Sequence, residues 1–587
     1  MTERKEMSDQ VRAVVFIVIV MVITFIWLRV YKPPAPPPQT PGQAVSQTAP
    51  AAGTAQPSAA QASIAPSTPA ANVPVVQAAA EKIVTVESPL YHIELTNRGG
   101  VVRSWTLKKY FDDQKPPRPL DLVNSAAAQE LGWPFSLALS DSQFEAAANA
   151  GLYQVATSVP GASESKQASA APQATGTFQA PIIVTLHWSD GHLDVTKKLS
   201  FSEDYQMSAE VSAALDGRPL VCAISWRGGF GDKAVYKAPQ LASVFYNQGG
   251  TLSVLQYKKL GSSGNQIQPF QQPGAMEFAG LEDQFFAAAF IPNGTDLYLW
   301  HWTQWHHYTA NNQQTSDPVP EMAVGSAAPG AVKFRAFVGP KDLALLGKVQ
   351  PSLEGLVQFG WTGVIAKPML FVLQWLHRYI PNYGWAIVVF TLALTMVLLP
   401  IRIWTFHSMR KMQVLAPEMK AIQDRYRKYS MNDPRKRKMN EEIMEMYARH
   451  GLSPWSQVSG CLPTLLQIPF LWAFYRMLAG AIELRHAPWM FWIHDLSARD
   501  PYYILPVAMA VTMYLSTKMM PTPATVDPSQ QKMMALMPLA MGFFFFSLSS
   551  GLNLYYFTSN LVSVGQQLYL NRTQPLPTRS KFKNKKQ

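Results

Sequence analysis

Residues 383–403 read YGWAIVVFTLALTMVLLPIRI, an apolar run whose one charged residue, Arg402, lies near its end. A helix of this length covers about 30 Å at 1.5 Å per residue, which is the thickness of the hydrocarbon layer of a bilayer. Further apolar runs of comparable length begin near Val458, Tyr502, Met533 and Leu552. The C-terminal part of the chain therefore predicts five membrane-spanning helices.

Most of these runs carry polar residues near their centres. They are Thr391, Thr395, Gln467, Ser516, Ser547, Asn553 and Asn560. A polar side chain that faces lipid is costly, so these groups are expected to face one another or a water-filled cavity. The pattern predicts a polytopic helical membrane bundle with a polar interior.

One interruption between the runs, residues 404–453, is long, basic and rich in methionine. Its apolar residues recur at three- and four-residue spacing, which predicts two amphipathic helices packed as an antiparallel hairpin. We expect a kink or restart at Pro417, and Asp433 with Pro434 at the start of the return helix. The methionines of the two apolar faces are Met409, Met412, Met419, Met439 and Met446.

The outward faces of this hairpin are basic. They include Arg425, Arg427 and Lys428 on the first arm and the run 435–438 on the second. A solvated basic surface explains this charge, and so does contact with anionic lipid or ribosomal RNA. The sequence leaves both interpretations open.

The net charge of +12 lies in two segments. Residues 402–455 contain twelve Lys/Arg against six Asp/Glu, and residues 572–587 contain six Lys/Arg and no acid. Because an excess of Lys/Arg beside a span marks the cytoplasmic side, the hairpin and the tail are predicted to lie inside the cell. The basic residues near the C-terminus are Arg579, Lys581, Lys583, Lys585 and Lys586.

The first 81 residues predict an anchor and a tether. Ala13–Leu28 is uncharged and bounded by arginines, which favours an uncleaved first transmembrane helix within a segment 1–32; a cleaved signal peptide is the alternative. Residues 33–81 are rich in Pro, Ala, Gln, Ser and Thr, a composition typical of a disordered linker.

Residues 82–345 show a strand-like pattern. Leu90–Thr96 and Val101–Leu107 flank one turn cluster, and Ile182–Trp188 and Leu193–Phe201 flank another. Since the two flanking spans place this segment outside the cytoplasm, we predict an extracytoplasmic β-sandwich domain.

Residues 352–380 carry apolar side chains at helical spacing, with Trp361 and Trp375 among them. This pattern predicts an amphipathic helix that lies along the outer leaflet of the membrane. A helix packed beneath the sandwich remains the alternative.

No pattern of enzyme chemistry stands out in the sequence. Cys222 and Cys461 are the only cysteines, and the predicted topology places them on opposite sides of the membrane. We find no metal-ligand spacing, phosphate loop or nucleophile–base arrangement. We therefore expect no enzymatic activity, no cofactor and no metal ion.

Three ordered stretches carry a resemblance to a known family. They are 482–506 (IELRHAPWMFWIHDLSARDPYYILP), 460–469 (GCLPTLLQIP) and 550–561 (SGLNLYYFTSNL). On these residues the chain resembles the bacterial YidC-family membrane protein insertases, of the long Gram-negative type with a large periplasmic domain. The resemblance covers essentially the whole chain and is strongest over 381–571.

The resemblance implies six transmembrane helices in the bacterial inner membrane, with both termini cytoplasmic and the β domain periplasmic. Five of these helices would form a core that encloses a hydrophilic groove and includes the hairpin. It also implies work alone or beside the Sec translocon. The implied partners are nascent membrane proteins, the Sec translocon, the ribosome, components of the signal recognition particle pathway and the lipid bilayer.

The groove residues indicated by the polar pattern and the resemblance are Thr391, Thr395, Arg402, Gln467, Asn553, Tyr556 and Asn560. The family usually has an Arg or Lys five residues before the proline that ends the second span. That proline matches Pro400, so the position is Thr395, which is neutral. Arg402 lies seven residues further, two helical turns, on nearly the same face. We expect Arg402 to supply the groove charge; an ordinary topological anchor at that position, or Arg476 as the cation, is the alternative.

A secondary transporter or channel is the alternative class, because it also lines a bundle with polar residues. Such a protein usually shows two related halves, and we find no internal repeat among the five spans.

Overall fold

The computed structural model describes residues 73–160, 176–232, 242–260, 275–310, 312–426, 428–429, 433–450, 462–519, 542 and 545–573. The predicted first span, most of the predicted linker, most of the run beginning at Met533 and nearly all of the basic tail lie outside these residues.

In the described part of the N-terminal region the strands form three sheets. A five-stranded sheet has the spatial order β4 (Pro119–Asp121), β3 (Val101–Phe111), β2 (Tyr91–Thr96), β1 (Ile83–Glu87) and β7 (Gly176–Gln179). A ten-stranded sheet has the order β14 (Thr251–Gln256), β13 (Ser243–Gln248), β15 (Phe278–Glu282), β16 (Phe286–Pro292), β19 (Val332–Pro340), β10 (Gln206–Leu215), β9 (Leu193–Phe201), β8 (Ile182–Ser189) and β6 (Gln154–Ser158), with β11 (Arg218–Pro219) paired to β10. A four-stranded sheet has the order β17 (Tyr298–Ala310), β18 (Gln313–Gly325), β12 (Ala223–Trp226) and β5 (Ser136–Ala138).

Both predicted hairpins are confirmed. Strand β2 pairs antiparallel with β3, and β8 pairs antiparallel with β9. Along most of β8 and all of β9, buried residues alternate with partly or fully exposed ones, as expected for strands with one face on a core. The β-rich character of the predicted β-sandwich domain is therefore confirmed, and its strands are divided among three sheets.

One aromatic cluster joins the three sheets. Trp105 lies on β3, Trp226 on β12 and Phe290 on β16, and Phe135 lies in the loop before β5. The ring centroids of Trp226 are 6.3 Å from Trp105, 6.1 Å from Phe135 and 6.4 Å from Phe290. All four side chains are at most 2% exposed. The domain thus has a shared core rather than three separate ones.

A fully buried lysine lies beside this core. The Nζ atom of Lys197 on β9 donates hydrogen bonds to the carbonyl oxygens of Gly99, Gly100 and Phe135 at 2.7, 3.1 and 2.9 Å. Burial lowers the pKa of Lys197 from 10.5 to about 7. The side chain therefore links the ten-stranded sheet to the turn between β2 and β3 and to the loop before β5.

This buried amine predicts a pH-dependent stability. The unfolded chain holds the Lys197 proton up to about pH 10.5, whereas the folded chain releases it near pH 7, so stability rises with pH between these values. From pH 7 to 9.5 we expect the Tm of the purified full-length protein to rise by about 5 °C more than that of Lys197→Met. The exposed neighbour Lys198 is the control, and Lys198→Met should follow the parent protein. Parallel pH profiles for parent and Lys197→Met would contradict the assignment.

The β domain begins earlier than the sequence indicated. The predicted linker extended to residue 81, but the backbone N–H of Val76 donates to Ser189 O at 2.9 Å and that of Ala78 to Leu152 O at 2.8 Å. Ala78 is also buried. The chain from Val76 onward therefore belongs to the β domain, because backbone pairing to two partners fixes it there.

The described helices have the following bounds. They are α1 (Ser125–Leu131), α2 (Ser142–Ala150), α3 (Leu343–Leu346), α4 (Gly363–Tyr379), α5 (Tyr383–Tyr426), α6 (Arg435–Arg449), α7 (Leu462–Gly480), α8 (Ile504–Met519) and α9 (Ser550–Thr573). Within the described residues one helical segment, Tyr383–Trp404 of α5, is long and apolar enough to cross a bilayer. Helix α8 is apolar but shorter.

Helix α4 is amphipathic as predicted, but it starts later. The continuous helix expected from Ser352 begins at Gly363, because Gly360 has a φ of 56°, a left-handed conformation that interrupts a helix. The face that includes Leu370 and Leu373 is buried, whereas Phe371 and Trp375 are exposed. An exposed apolar face of this kind suits the predicted position along the outer leaflet.

Helices α5 and α6 form the predicted hairpin. The prediction at Pro417 was a kink or a restart; the helix does not restart there, because α5 continues through both Pro400 and Pro417 to Tyr426. The hairpin core consists of Leu415, Met419, Ile422, Ile443, Met446 and Tyr447. The predicted start of the return helix is confirmed, since Asp433 Oδ1 accepts a hydrogen bond from the N–H of Arg435 at 2.9 Å.

Candidate functional site: a polar face between the membrane helices

Helix α9 packs against both α5 and α8. Its sequence SGLNLYYFTSNLVSVGQQLYLNRT carries several polar residues along its length. Asn553, Asn560 and Gln567 recur at seven-residue spacing, and seven residues make almost two full turns of an α-helix. Together with Tyr556 and Ser563 they lie within a sector of about 80° at 100° per residue. We call these five residues the polar face of α9.

The polar face contains hydrogen-bonding groups without partners among the described residues. These groups are Asn553 Oδ1, Asn560 Nδ2 and Gln567 Oε1, all of them buried atoms. Within the described part of the chain, Asn553 is fully buried and Gln567 is 9% exposed. An unpaired polar atom costs about 1–3 kcal/mol when it is buried away from water. The polar face therefore has a capacity to bind water or a polar segment of another chain.

The other amide atoms of these side chains are held by neighbouring elements. Asn553 Nδ2 donates to Phe545 O at 3.2 Å and more weakly to Leu548 O at 3.4 Å. Gln567 Nε2 lies 3.5 Å from Ser516 Oγ on α8. These contacts orient the amides, because they distinguish the nitrogen from the oxygen and leave the oxygen free to accept.

Arg402 on α5 reaches the same polar face. Its Nη1 atom donates to Ser563 Oγ at 2.8 Å, and Ser563 Oγ donates in turn to Ser559 O at 2.8 Å. The Arg402 side chain is partly buried. A fixed cation is thus positioned beside the unpaired amide groups, between α5 and α9.

The threonines of α5 make different contributions. Thr391 is fully buried, and its Oγ1 donates to Ile387 O of the same helix at 2.7 Å. Its hydroxyl is therefore satisfied within the helix. Thr395 is 4% exposed, which is consistent with an inward-facing position.

Tyr556 of α9 packs its ring edge against Phe545, with the ring centroids 4.6 Å apart.

Sequence reasoning missed two members of the polar face. Ser563 and Gln567 were not among the predicted groove residues, although Gln567 continues the seven-residue spacing of Asn553 and Asn560. That spacing was the available signal. Of the predicted groove residues, the side chain of Gln467 lies outside the described part of the structure.

The hairpin residues divide into a core and a surface. Met419 and Met446 are fully buried between α5 and α6, and the partly buried Met439 packs against this core. Arg425 is largely exposed and pairs with Glu442 at 3.2 Å, and Lys428 is exposed. Arg427 and the side chains of Met409 and Met412 lie outside the described part.

The segment 481–503 between α7 and α8, here called the outer loop, covers the start of α9. The backbone N–H groups of Ser550 and Gly551 donate to Ala498 O at 2.7 Å and to Leu496 O at 2.8 Å. Asn382, just before α5, donates from Nδ2 to Trp489 O at 3.0 Å. The outer loop thus ties together the adjacent ends of α5 and α9.

Among the described residues, no three His, Cys, Asp or Glu side chains are arranged to hold a metal ion. Cys222 is buried, and burial raises its thiol pKa to about 11, which keeps it protonated and unreactive.

The described structure combines a β-rich domain, an amphipathic helix, an apolar helix that continues into a hairpin, and a polar interhelical face. Comparisons with known proteins identify the family. Residues 375–577 match the family described as 60Kd inner membrane protein, and residues 83–372 match the YidC periplasmic domain. The chain belongs to the YidC family of membrane protein insertases. It is thus an inner-membrane protein with a periplasmic domain, and an insertase rather than an enzyme.

Similar proteins cover most of the chain. A "Membrane protein insertase YidC" from Burkholderia multivorans is 31% identical over 537 residues, which are 89% of this chain and 87% of that protein. A protein of the same name from Campylobacter jejuni is 47% identical over 241 residues, 41% of this chain and 44% of that protein. The solved structure "Active YidC insertase crystal structure with the first transmembrane domain resolved" shares 16% identity, with a TM-score of 0.33, over 85% of this chain and 95% of that one.

Proposed function

We propose that the chain inserts its substrates through a hydrophilic groove lined by the polar face of α9 and by Arg402. The observation that carries this proposal is the row of unpaired amide atoms beside a fixed cation, between helices α5 and α9. Such a row is expensive in lipid unless it binds water or a polar chain. The groove gives the polar outer segment of a nascent membrane protein a path across part of the bilayer.

The driving force is the burial of apolar surface. A charged residue at the bilayer centre costs at least about 2.5–3.5 kcal/mol on insertion scales. A hydrated groove shortens the apolar distance that the charged segment crosses, and Arg402 pairs transiently with acidic side chains in that segment. The substrate's hydrophobic helix then moves into lipid, where each buried CH₂ contributes about 0.8 kcal/mol. No nucleotide or covalent step is required.

The proposed topology has six transmembrane helices with both termini in the cytoplasm. The excess of Lys/Arg in residues 402–455 and 572–587 supports a cytoplasmic position for the hairpin and the tail. The exposed apolar face of α4 supports its placement on the outer leaflet. The groove would then open to the cytoplasm and to lipid, and the outer loop would close it toward the periplasm.

The proposed partners beyond substrate and lipid are the Sec translocon, the ribosome and components of the signal recognition particle pathway. The chain would work with them or alone. The exposed basic side chains Arg425 and Lys428 and the purely basic tail support electrostatic contact with ribosomal RNA.

The tail gives a direct prediction for the ribosome contact. Replacing Arg579, Lys581, Lys583, Lys585 and Lys586 by glutamine should weaken ribosome binding at low salt, because contacts between these cations and RNA phosphates are lost. The affinity of the variant should also depend less on salt concentration than that of the parent. Insertion of short substrates after their synthesis should remain nearly unchanged. Equal ribosome affinities for parent and variant across a salt titration would remove this role.

The groove itself is tested by site-specific photocrosslinking. A photoreactive amino acid placed at Asn560 or Gln567 should crosslink to the polar outer segment of an arrested nascent chain. The adjacent residues Leu561 and Leu568 are the matched controls, since they are 52% and 45% exposed on the other side of α9. We expect at least about fivefold more crosslinking at 560 and 567. Consecutive residues of an α-helix point about 100° apart, so the two control positions face away from the polar face. Equal crosslinking at all four positions would reject the polar face as the substrate path.

A further inference from the structure

A buried ion pair connects the outer loop to the periplasmic domain. Arg485 of the outer loop donates from Nε to Asp232 Oδ2 at 3.0 Å and also from Nη2 to the same oxygen. Nη2 donates in addition to Phe111 O at 2.6 Å. The two charged side chains are 4% and 2% exposed. Breaking such a pair is costly, because it leaves an uncompensated charge away from water.

Asp232 is held in place by its own domain. Its backbone N–H donates to Asp283 Oδ2 at 2.7 Å, while Asp283 Oδ1 accepts from the N–H groups of Phe285 and Phe286 at 2.8 and 2.6 Å. The preceding residue, Gly231, has a φ of 99°, and a Cβ atom there would lie 2.1 Å from Asp283 Oδ2. The domain thus presents Asp232 in one fixed position.

Other hydrogen bonds follow the same boundary. Gln284 Nε2 donates to Ala479 O at the end of α7 at 2.8 Å, and His486 Nε2 lies 2.7 Å from Asp113 Oδ1. From the membrane side, Gln374 of α4 donates to Glu483 Oε1 at 2.6 Å. The first part of the outer loop is therefore bonded to the periplasmic domain, while its last part is bonded to α9 through Leu496 and Ala498.

We propose that the periplasmic domain acts as an external clamp on the outer loop, with Arg485 and Asp232 as its positioning residues. The clamp holds the loop over the outer ends of α5 and α9 and so keeps the polar face closed to the periplasm. Arg485 does not contact the substrate; it acts through the position of the loop. The inference relies on the proposed groove only for its functional consequence, because closure is measured independently of insertion.

The test uses one reporter thiol beneath the loop. Ser550 is fully buried and its N–H binds Ala498 O, so Ser550→Cys places a thiol of similar size under the closed loop. The full-length protein carries Cys222→Ala and Cys461→Ala in every arm. Spheroplasts are treated with a membrane-impermeant maleimide, and the labelling rate of Ser550→Cys is measured alongside insertion of a single-span substrate.

We expect slow labelling in this parent protein. Asp232→Asn and Arg485→Gln should each label at least about tenfold faster, since each removes one charge of the buried ion pair that holds the loop. Arg485→Lys should be intermediate, because it keeps the charge but loses the fork that binds Asp232 and Phe111 together. Lys367→Gln is the control, as it removes a nearby ion pair with Glu354 whose side chains are 49% and 41% exposed, and it should label at the parental rate.

If a single variant does not fold, the double variant Asp232→Asn with Arg485→Gln replaces it in the test. In this variant both charges of the ion pair are removed together. It should still label faster than the parent, since the charge-assisted contact is gone. Parental labelling rates in the folded variants would overturn the clamp, whatever their insertion activity. If the proposed groove is wrong, in contrast, Arg402→Ala should insert the substrate as well as the parent does. The loop variants should then still label faster than the parent.

Discussion

Arg402→Ala is expected to slow the insertion of a single-span substrate with two acidic residues in its outer tail by about tenfold. A tenfold change corresponds to about 1.4 kcal/mol, well within the attraction of about 4 kcal/mol between two unit charges 4 Å apart at the effective dielectric of a protein surface. The same substrate with a neutral tail should be affected less than about twofold, because it has no charge to pair. The measurement is the initial insertion rate for tails with zero, one and two acidic residues.

Three further variants separate a groove charge from a topological anchor. Arg402→Lys should retain most of the rate, because the account requires a positive charge and not a bidentate fork. Thr395→Arg, added to Arg402→Ala, should restore insertion by returning a charge to the same helical face. Lys518→Ala removes an exposed cation from the last turn of α8, away from the polar face, and should have little effect. A loss in Arg402→Ala that is independent of tail charge would reduce Arg402 to an anchor.

Trp226→Ala is expected to destabilise the protein by about 3–5 kcal/mol, the usual cost of deleting a large buried aromatic side chain. Trp226 is fully buried, its ring contacts members of the other two sheets, and its Nε1 donates to Gly229 O at 3.1 Å. The substitution therefore removes the ring through which the four-stranded sheet contacts the other two sheets. The loss of unfolding free energy is measured by chemical denaturation of the full-length protein, followed by the β-sheet signal in its circular dichroism spectrum.

Trp305→Ala is the matched control for this stability prediction. Trp305 lies on β17 of the same four-stranded sheet but is 47% exposed. Its replacement should change the free energy of unfolding by less than about 1 kcal/mol, since an exposed side chain leaves no cavity. Equal losses for both tryptophans would show that the shared aromatic core does not hold the sheets together.

Local features were predictable where local physics decides them. The hairpins β2–β3 and β8–β9 follow from alternating apolar residues around turn clusters, and the start of α6 follows from the Asp433–Pro434 pair. At Pro417 a kink or a restart was predicted, and the helix does not restart there, because packing against α6 overrides the local preference of proline. A prediction from spacing alone cannot weigh that packing.

Long-range pairs were beyond local reasoning. Arg402 and Ser563 are 161 residues apart, and Asp232 and Arg485 are 253 residues apart, so no sequence period connects them. The charge of Arg402 suggested a role, but its partner depended on the packing of α5 against α9. Gln567 differs from these pairs, since its seven-residue spacing from Asn560 was visible in the sequence.

The proposed mechanism requires that this chain alone move a polar segment across the membrane by means of its polar face. The most direct test is reconstitution of the purified protein into liposomes without other proteins, nucleotide or an imposed solute gradient. A small single-span substrate should integrate, as shown by a protease-protected fragment, and integration of an acidic-tailed version should fall in Arg402→Ala liposomes. Integration equal to that in protein-free liposomes, or integration that appears only with an imposed gradient, would contradict the account.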